Sequence, residues 1–492
     1  MTVTHADNDV LTAALRRLFS FPVALSGLLA VLGVLTVRSR FNDPDMWWHL
    51  RTGQIIWTSH TIPTTDIFSF TTNHHVNVPH EWLSQVLIYG AYRLGAFSGL
   101  MLWLCLSTAI MLIGGYILCA LYSENAKVAF VGAMVIWVFA TSGLSVRPQM
   151  IGYLLLIVEL LILQVGRTRS PNWLWGLPLI FALWINCHGS AFLGFGLASV
   201  LFLCSLCRFQ VGSLVAVPWE PHRRNVLGLA LLLSAAALFL NPLGVRQILY
   251  PLDTLLHQPI GLSHSQEWLP PYMNQGRGLA CLIVLGSVFL LVIVQRYELF
   301  WDELVILALG TWLGVSHQRM LFVFGILAAP VVSRLLAHAW DKYDPAQDRP
   351  LLNAILVALS VLLIVRAFPN RQNLARQVDQ GNPVQAVRFI QTHHLSGNML
   401  NDYVYGGYLI WAAPDHPVFI DGRSDVFEST GVLAEYGKWA WLQTDPNVLL
   451  KQYNIGFCLL AHTSPMAHVL PFLPNWKTVY SDNMSTIFIR TQ

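Results

Sequence analysis

Residues 18–50 read LFSFPVALSGLLAVLGVLTVRSRFNDPDMWWHL, a long apolar run followed at once by two carboxylates, two indoles and an imidazole. The run Leu18–Val37 is long enough to cross a hydrocarbon core of roughly 30 Å. Arg16 and Arg17 precede it without a small-residue cleavage site, which is typical of an uncleaved first span with a cytoplasmic N-terminus. The polar stretch NDPDMWWHL would then emerge at the outer face of a membrane.

Composition extends this interpretation to most of the chain. The 492 residues are 55% hydrophobic and only 11% charged, a balance that excludes a water-soluble globule of this size. A net charge of +3 without a long basic patch gives no indication of a nucleic-acid partner. Residues 1–368 are therefore predicted to form a polytopic α-helical membrane domain, with a first outer loop at residues 38–98. Ten further apolar runs bring the predicted spans to eleven: Gly99–Tyr122, Val128–Thr141, Gln149–Gly166, Asn172–Asn186, Ser190–Cys207, Val226–Leu240, Leu279–Gln295, Phe300–Ser316, Met320–Leu336 and Leu351–Phe368.

The pattern changes after Phe368. Residues 369–492 have short apolar runs interleaved with polar residues, as in a soluble α/β domain with a mixed sheet. With eleven spans before it, this C-terminal domain is predicted to be extracytoplasmic. Its predicted elements are helices at Pro383–His393 and Pro446–Gln452, and strands at NML before Asn401, VFID ending at Asp421, GFCLLA, TVY and TIFIR.

The unusual polar motifs all fall on one side of this topology. Lys and Arg favour the short cytoplasmic loops, although the outer side carries arginines as well. Because the polar motifs lie at the outer rim rather than deep in the membrane, we expect chemistry on a headgroup or a lipid-linked substrate at the outer surface. The outer motifs are NDPDMWWHL, PHEW (79–82), SVRPQ (145–149), NCHGS (186–190), NPLG (241–244), QEWLPP (266–271) and HQR (317–319).

The first outer loop holds the candidate catalytic acids. Asp43 precedes a proline and could equally cap a helix. Asp45 lies one turn before His49, so a helix would present both side chains on one face, while Trp47 and Trp48 anchor it in the outer leaflet. A carboxylate at headgroup level is a candidate general base or a ligand for a divalent cation such as Mg²⁺ or Mn²⁺.

A second acidic residue stands further along the same loop. Glu81 follows His80 at the start of the amphipathic stretch Trp82–Leu94, where an acidic residue would also favour the first turn of a helix. If the loop folds back on itself, Asp45 and Glu81 converge. The pair is then a candidate metal site.

Cationic and imidazole side chains lie at the outer ends of later spans. Each could be an interfacial anchor. Together they supply what a phosphate requires, because guanidinium forks bind oxygens bidentately and imidazoles donate hydrogen bonds. Glu267, in the long outer segment 241–278, is a further acid or a salt-bridge partner. The candidate phosphate-binding residues are Arg147, His188, His317 and Arg319.

Two stretches of the C-terminal domain are also unusual. They read NDYVYGGYLIW (401–411) and FIDGRSD (419–425). Polar residues at the carboxyl end of a strand occupy a common ligand position. Tyr405, Asp421 and Arg423 are the candidates there, and an ordinary turn with an ion pair is the alternative.

With its acidic first loop, polar outer rim and exterior α/β domain, the chain resembles the GT-C superfamily of integral membrane glycosyltransferases. The resemblance covers the whole architecture, whereas its motif is short. It implies that Asp43 or Asp45 holds the acidic catalytic or metal-binding position. NDYVYGGYLIW with VFIDGR is also similar to the WWDYG region of oligosaccharyltransferases but has no tandem Trp before the Asp, so recognition of a peptide acceptor is not implied. DPDMWWHL, HEW and DGR together are most similar to bacterial members of the superfamily.

The resemblance implies a function as well as a fold. The expected enzyme lies in a bacterial inner membrane and moves a sugar, with inversion, from a polyprenyl-phosphate-linked donor to a glycan, lipid or protein acceptor. A divalent cation would be its cofactor. A ligase or polymerase of lipid-linked glycans is chemically close to this. The alternatives from other classes are a lipid-linked glycan transporter, which would need Glu159, and a non-enzymatic envelope scaffold that binds its partner through the C-terminal domain.

Overall fold

The computed structural model describes residues 17–72, 74–264 and 266–491, so Arg16 lies outside the described residues. Each of the eleven predicted spans is helical for most of its length. Three of the shorter helices are also apolar, at Phe21–Val37, Ala126–Ala140 and Ala191–Cys204. This agrees with a polytopic helical membrane protein, while the number of crossings stays a prediction. In the described part of the chain, five helices are long and apolar enough to cross a membrane: Trp82–Ser123, Gln149–Thr168, Gly276–Val294, Gln318–Leu336 and Pro350–Ala367.

Helices make up most of residues 17–367. A small sheet joins strands β1 (Phe209–Val211), β2 (Leu214–Ala216) and β3 (Leu299–Phe300) in that order. The helices are α1 (Phe21–Val37), α2 (Met46–Ser59), α3 (Trp82–Ser123), α4 (Ala126–Ala140), α5 (Gln149–Thr168), α6 (Gly176–Cys187), α7 (Ala191–Cys204), α8 (Pro221–Ala237), α9 (Val245–His257), α10 (Pro259–His264), α11 (Gly276–Phe289), α12 (Trp301–Ser316), α13 (Leu321–Leu336) and α14 (Pro350–Ala367).

Helix α13 lies in the centre of the bundle. All of its residues from Leu321 to Ser333 are buried, as expected for a helix that is apolar on every side. Gly325 lets Phe139 of α4 approach, since a Cβ at Gly325 would lie 2.8 Å from the Phe139 side chain. By contrast, α14 buries little besides Asn353 and Ser360, which suits a helix that faces lipid.

The first outer loop forms one helix of its own and the start of another. Helix α2 crosses α3 closely, because a Cβ at Gly53 would lie 2.1 Å from the carbonyl oxygen of Gln85. Helix α3 includes the predicted amphipathic stretch Trp82–Leu94 and breaks at Gly95 and Ala96 before it continues as an apolar helix. The loop therefore folds back on itself, as the convergence of its two acidic motifs requires.

The C-terminal segment forms a four-stranded mixed sheet with helices around it. The order is β4-β5-β7-β6, with β4 parallel to β5 and the other pairs antiparallel. The strands are β4 (Asn398–Asn401), β5 (Ile455–Ala461), β6 (Trp476–Ser481) and β7 (Ser485–Arg490). The helices are α15 (Arg371–Gly381), α16 (Val384–Thr392), α17 (Gly406–Ala412), α18 (Ser424–Ser429), α19 (Val432–Ala440), α20 (Pro446–Gln452) and α21 (Pro465–Val469).

Two local predictions are wrong. VFID is not a strand of the sheet, because Val418 pairs only with the first outer loop at Ser69, and the Asn401 side chain bonds to Phe419 N (2.8 Å) and Ile420 O (2.7 Å). These partners satisfy the backbone without a strand ladder. Trp47 is not an interfacial anchor either. It is fully buried, with its ring 5.0 Å from that of Tyr408 in α17.

Candidate active site

The ends of several helices meet at one end of the bundle and bring the acidic and basic candidates together. Asp43 and Asp45 precede α2, and Arg147 precedes α5. The Arg147 guanidinium contacts Asp43 Oδ2 through Nε at 2.7 Å, Asp45 Oδ2 through Nη2 at 3.2 Å and Glu267 Oε1 through Nη1 at 3.2 Å. Glu267 in turn contacts Arg319 Nη1 at 3.6 Å. We call these five residues the acid–arginine chain.

The two aspartates play different local roles. Asp43 Oδ1 accepts a hydrogen bond from the Asp45 backbone N–H at 2.9 Å, so Asp43 shapes the turn before α2 as well as pairing with Arg147. Asp45 stands at the helix start without capping it. Its Oδ1 accepts from Trp48 Nε1 at 3.3 Å. Burial raises the pKa of Asp45 to about 6, against the opposing effect of the Arg147 charge.

Glu81 lies at the start of α3 inside a group of imidazoles. Its carboxylate contacts His188 Nε2 at 3.4 Å, His80 Nε2 at 3.6 Å and His49 Nδ1 at 3.9 Å. Burial raises the pKa of Glu81, although the charges of His80 and Arg319 oppose this effect. We call these four residues the Glu81–histidine cluster.

Hydrogen bonds around the cluster assign the protons of two imidazoles. The Ser190 backbone N–H donates to His188 Nδ1 at 3.1 Å, and the Gln85 amide donates to His49 Nδ1 at 3.2 Å. Burial, together with nearby positive charge, lowers the pKa of both histidines well below its usual value. Each neutral ring therefore carries its proton on Nε2, and that of His188 points at Glu81.

Beside the acid–arginine chain lies a pocket of about 150 Å³. Its wall includes both Glu267 and Arg319, so the pocket adjoins the aspartates through Arg147. Arg277 at the start of α11 adds a second guanidinium, which is hydrogen-bonded to Ser142. Gln149 is 4% exposed, and its Oε1 has no partner among the described residues. The pocket thus offers two cations and a free acceptor, which suits an anion that carries hydroxyl groups. Its lining residues are Ser142, Gly143, Gln149, Tyr153, Gln266, Glu267, Arg277, Gln318 and Arg319.

Other predicted residues stand apart from these groups. His317 Nδ1 donates to the Trp268 carbonyl at 2.7 Å, which fixes the ring beside Arg319. Tyr405 is buried in the C-terminal domain, where its hydroxyl donates to the Met484 carbonyl at 2.9 Å. Its predicted ligand role finds no support in this position.

Asp421 and Arg423 form a buried ion triad with Asp66 of the first outer loop. Arg423 Nη2 donates to Asp421 Oδ2 at 2.6 Å, and Nη1 donates to Asp66 Oδ1 at 2.7 Å. The Arg423 charge lowers the pKa of Asp66 despite burial, and both carboxylates raise the pKa of Arg423. These side chains join the C-terminal domain to the loop, which is the ion-pair alternative stated above.

The side chains as arranged do not fit a divalent cation at Asp45 and Glu81. Among the described residues, no group of three or more His, Cys, Asp or Glu side chains has a geometry that could hold a metal ion. The oxygens of Asp45 face the N–H groups of Arg147 and Trp48, which donate hydrogen bonds and do not ligate a cation.

Glu159, the residue that a transporter would need, lies within α5. It is fully buried, and neither of its carboxylate oxygens has a hydrogen-bond partner among the described residues. It packs against Trp184 and Gly194, where a Cβ on the glycine would lie 2.6 Å from Glu159 Oε2. In this packing the Glu159 carboxylate has no contact with solvent.

Several residues of the site were not among those predicted from the sequence. Asp66 appeared as one acid in an unremarkable stretch, TTDIFSF, and Arg277 as an ordinary charged flank of a span. Tyr250 stacks on His80 with ring centroids 4.0 Å apart and donates to Asp425 at 3.1 Å. No sequence signal identifies Arg277 or Tyr250, because their roles depend on helix packing. The paired glycines of NDYVYGGYLIW and the glycine of DGR were a usable signal for close packing.

Comparison with known proteins gives relatives by structure alone. No protein-family model matches the sequence, and no curated protein matches it significantly. ArnT from Cupriavidus metallidurans, solved with undecaprenyl phosphate bound, has a TM-score of 0.55 at 12% identity, over 95% of this chain and 97% of that one. The oligosaccharyltransferase of Archaeoglobus fulgidus, solved with a tethered acceptor peptide containing the NVT sequon, has a TM-score of 0.52 at 12% identity, over 90% and 70%.

A further structure of the Archaeoglobus protein, in complex with Zn and sulfate, has a TM-score of 0.51 at 11% identity and covers 95% of this chain and 73% of that one. ArnT and the oligosaccharyltransferase thus share this chain's architecture over at least 90% of its length. At this identity the likeness concerns the fold, and the predicted GT-C fold is confirmed.

Proposed function

We propose that the chain is a membrane glycosyltransferase that moves a sugar from a polyprenyl-phosphate-linked donor to an acceptor at the outer face of the membrane. The observation that carries this proposal is the acid–arginine chain. It connects a carboxylate with a raised pKa, Asp45, through Arg147 and Glu267 to a pocket with two further guanidinium groups. A base beside an anion site is what glycosyl transfer from a phosphate requires.

The pocket is the proposed place of the donor phosphate. Arg147 is already held by three carboxylates, whereas Arg319 and Arg277 line the pocket and face one carboxylate and one hydroxyl. They are the better candidates to bind phosphate oxygens, with Arg147 as the residue that orders the acids. ArnT, which shares the fold, was solved with undecaprenyl phosphate bound.

Asp45 is the proposed general base. It takes the proton of an acceptor hydroxyl or amide as the acceptor atom attacks the anomeric carbon, and the bond from that carbon to the phosphate oxygen breaks. The leaving phosphate keeps the electron pair, and Arg319 and Arg277 stabilise its charge. A single displacement of this kind inverts the anomeric centre. The Glu81–histidine cluster is the proposed binding place of sugar hydroxyls.

We further propose the arrangement that places this chemistry outside the cytoplasm. Eleven crossings put the N-terminus in the cytoplasm of a bacterium and the residues of 369–492 beyond the inner membrane, as a domain separate from 1–368. The acceptor is a glycan, a lipid or a protein. A transporter is disfavoured by the closed packing around Glu159.

A transfer assay with a matched pair of variants tests the proposal. Purified wild-type protein is incubated with radiolabelled undecaprenyl-phosphate sugars and an envelope extract as acceptor. Asp45→Asn should reduce transfer by about 100-fold or more, because general-base catalysis is worth roughly 10²–10⁴. The control variant Asp415→Asn, at an exposed position, should leave the transfer rate unchanged. Transfer by Asp45→Asn at the wild-type rate, or no transfer by the wild type from any donor, would overturn the proposal.

A further inference from the structure

Two glycines of the C-terminal domain touch the start of α2. A Cβ at Gly422 would lie 2.2 Å from Asp45 Oδ1, and a Cβ at Gly407 would lie 2.2 Å from the carbonyl oxygen of Pro44. Neither glycine has the positive φ that would itself call for glycine. Both positions therefore exclude a side chain because another part of the chain is in its place.

The turn that carries Gly422 is fixed on both sides. Asp421 and Arg423 belong to the ion triad with Asp66, in which the exposed fractions of Arg423 and Asp66 are 4% and 0%. Asp66 also accepts hydrogen bonds from Thr72 Oγ1 at 2.6 Å and from the Ser69 hydroxyl. A buried and fully bonded ion group of this kind holds its backbone in one arrangement.

Three groups contact the Asp45 carboxylate, whose side chain is 25% exposed. Trp48 Nε1 donates to Oδ1 at 3.3 Å, Gly422 covers the same oxygen, and Arg147 faces Oδ2 at 3.2 Å. Of these groups, Trp48 and Arg147 belong to the membrane domain. Gly422 belongs to the C-terminal domain, far from Asp45 along the chain.

On the basis of the function proposed above, we propose that Gly422 is a positioning residue, through which the C-terminal domain holds the Asp45 carboxylate in its reactive place. The C-terminal domain then completes the active site, in addition to any role in binding an acceptor. Gly407 acts in the same way on the preceding residue, Pro44, and the Asp66–Arg423–Asp421 triad fixes the turn that presents Gly422.

A methyl group at Gly422 tests this directly. Gly422→Ala should displace the carboxylate towards water, so that kcat for transfer falls at least tenfold while KM for the donor stays within a factor of two. Because burial raises the pKa of Asp45 to about 6, a carboxylate moved into water has a lower pKa. The acidic limb of the kcat profile should therefore move to lower pH. Gly437→Ala is the matched control, since nothing lies within 4 Å of its Cβ position.

The outcomes separate this inference from the function on which it rests. If Asp45→Asn is inactive but Gly422→Ala has the kcat and pH profile of Gly437→Ala, the positioning role is wrong and the proposed function stands. If Asp45→Asn is fully active, the proposed function itself fails. Should Gly422→Ala not fold, Gly407→Ala serves in its place. A fall in kcat with an unshifted acidic limb in the variant that folds would indicate a merely structural role and overturn the inference.

Discussion

At the scale of single residues, the same charge can have two quite different roles. Arg147 and Arg319 were both predicted to bind phosphate. The structure surrounds Arg147 with Asp43, Asp45 and Glu267, and leaves Arg319 with one carboxylate contact at 3.6 Å. A guanidinium with three acidic partners neutralises and orders those partners, so it is not free to bind a ligand. A sequence shows that an arginine is present but does not show which acids fold against it.

The raised pKa of Asp45 gives a prediction for the pH dependence of transfer. A general base acts only when it is deprotonated, so kcat should fall by roughly tenfold per pH unit below about pH 6, and the wild-type profile should be flat just above it. Rates measured between pH 4.5 and 8 with saturating donor check this. A kcat that stays constant down to pH 4.5 would contradict the assignment of Asp45 as the base.

Replacement of Arg147 should change both stability and this profile. Arg147→Gln leaves Asp43, Asp45 and Glu267 without their shared cation, which we expect to cost about 3 kcal/mol of unfolding free energy. Loss of the positive charge also raises the pKa of Asp45, so the acidic limb of kcat should move to higher pH. Thermal unfolding in detergent and the pH profile measure the two effects. If the acidic limb of the kcat profile did not shift in Arg147→Gln, Arg147 would not act on the proposed base, Asp45.

At the scale of elements, close crossings decide where the side chains meet. Helix α2 carries His49 and α3 begins next to Glu81, and the two helices touch where Gly53 faces the backbone of Gln85. The hydrophobic pattern predicts both helices, and the turn of a helix predicts that Asp45 and His49 share a face. The crossing itself rests on one glycine, which sequence alone does not single out among the 34 in the chain.

A methyl group at this crossing should separate the helices. Gly53→Ala places a carbon 2.1 Å from a backbone oxygen that cannot move independently of its helix, so we expect a loss of several kcal/mol and a marked fall in yield. Gly196→Ala in α7 is the control, because its Cβ position has no atom within 4 Å. The thermal midpoints of the two detergent-purified variants measure the difference. Equal midpoints would mean that the crossing is not as close as described.

The ion triad gives a second prediction at this scale. Arg423→Met leaves Asp421 and Asp66 buried without a cation, which should cost about 3–5 kcal/mol at the contact between the first loop and the C-terminal domain. Hydrogen exchange of residues 64–76 and 418–426 should rise in this variant. The exposed Arg490, at the end of strand β7, serves as the control when changed to Met. Unchanged exchange in both segments would argue against the triad as the link.

At the scale of the whole molecule, the fold was far more predictable than the site. Apolar runs of membrane length predict helices wherever they occur, and GFCLLA, TVY and TIFIR predict the strands of the mixed sheet. Because successive spans cross the membrane in alternating directions, the predicted topology also put NDPDMWWHL, HEW, SVRPQ and NCHGS on the outer side. The structure brings their polar residues together. What could not be predicted are contacts between distant segments, such as Asp45 with Gly422 and Asp66 with Arg423. VFID failed as a strand for this reason, since its backbone partners are the first loop at Ser69 and the side chain of Asn401.

The release of undecaprenyl phosphate from undecaprenyl-phosphate-linked sugars, followed by mass spectrometry in wild-type, Asp43→Asn and Asp45→Asn proteins, tests the central claim most directly. We expect release by the wild type that depends on an added envelope acceptor, and a loss of about 100-fold or more in Asp45→Asn. Full release by both variants would contradict the claim that the first-loop acids perform the transfer.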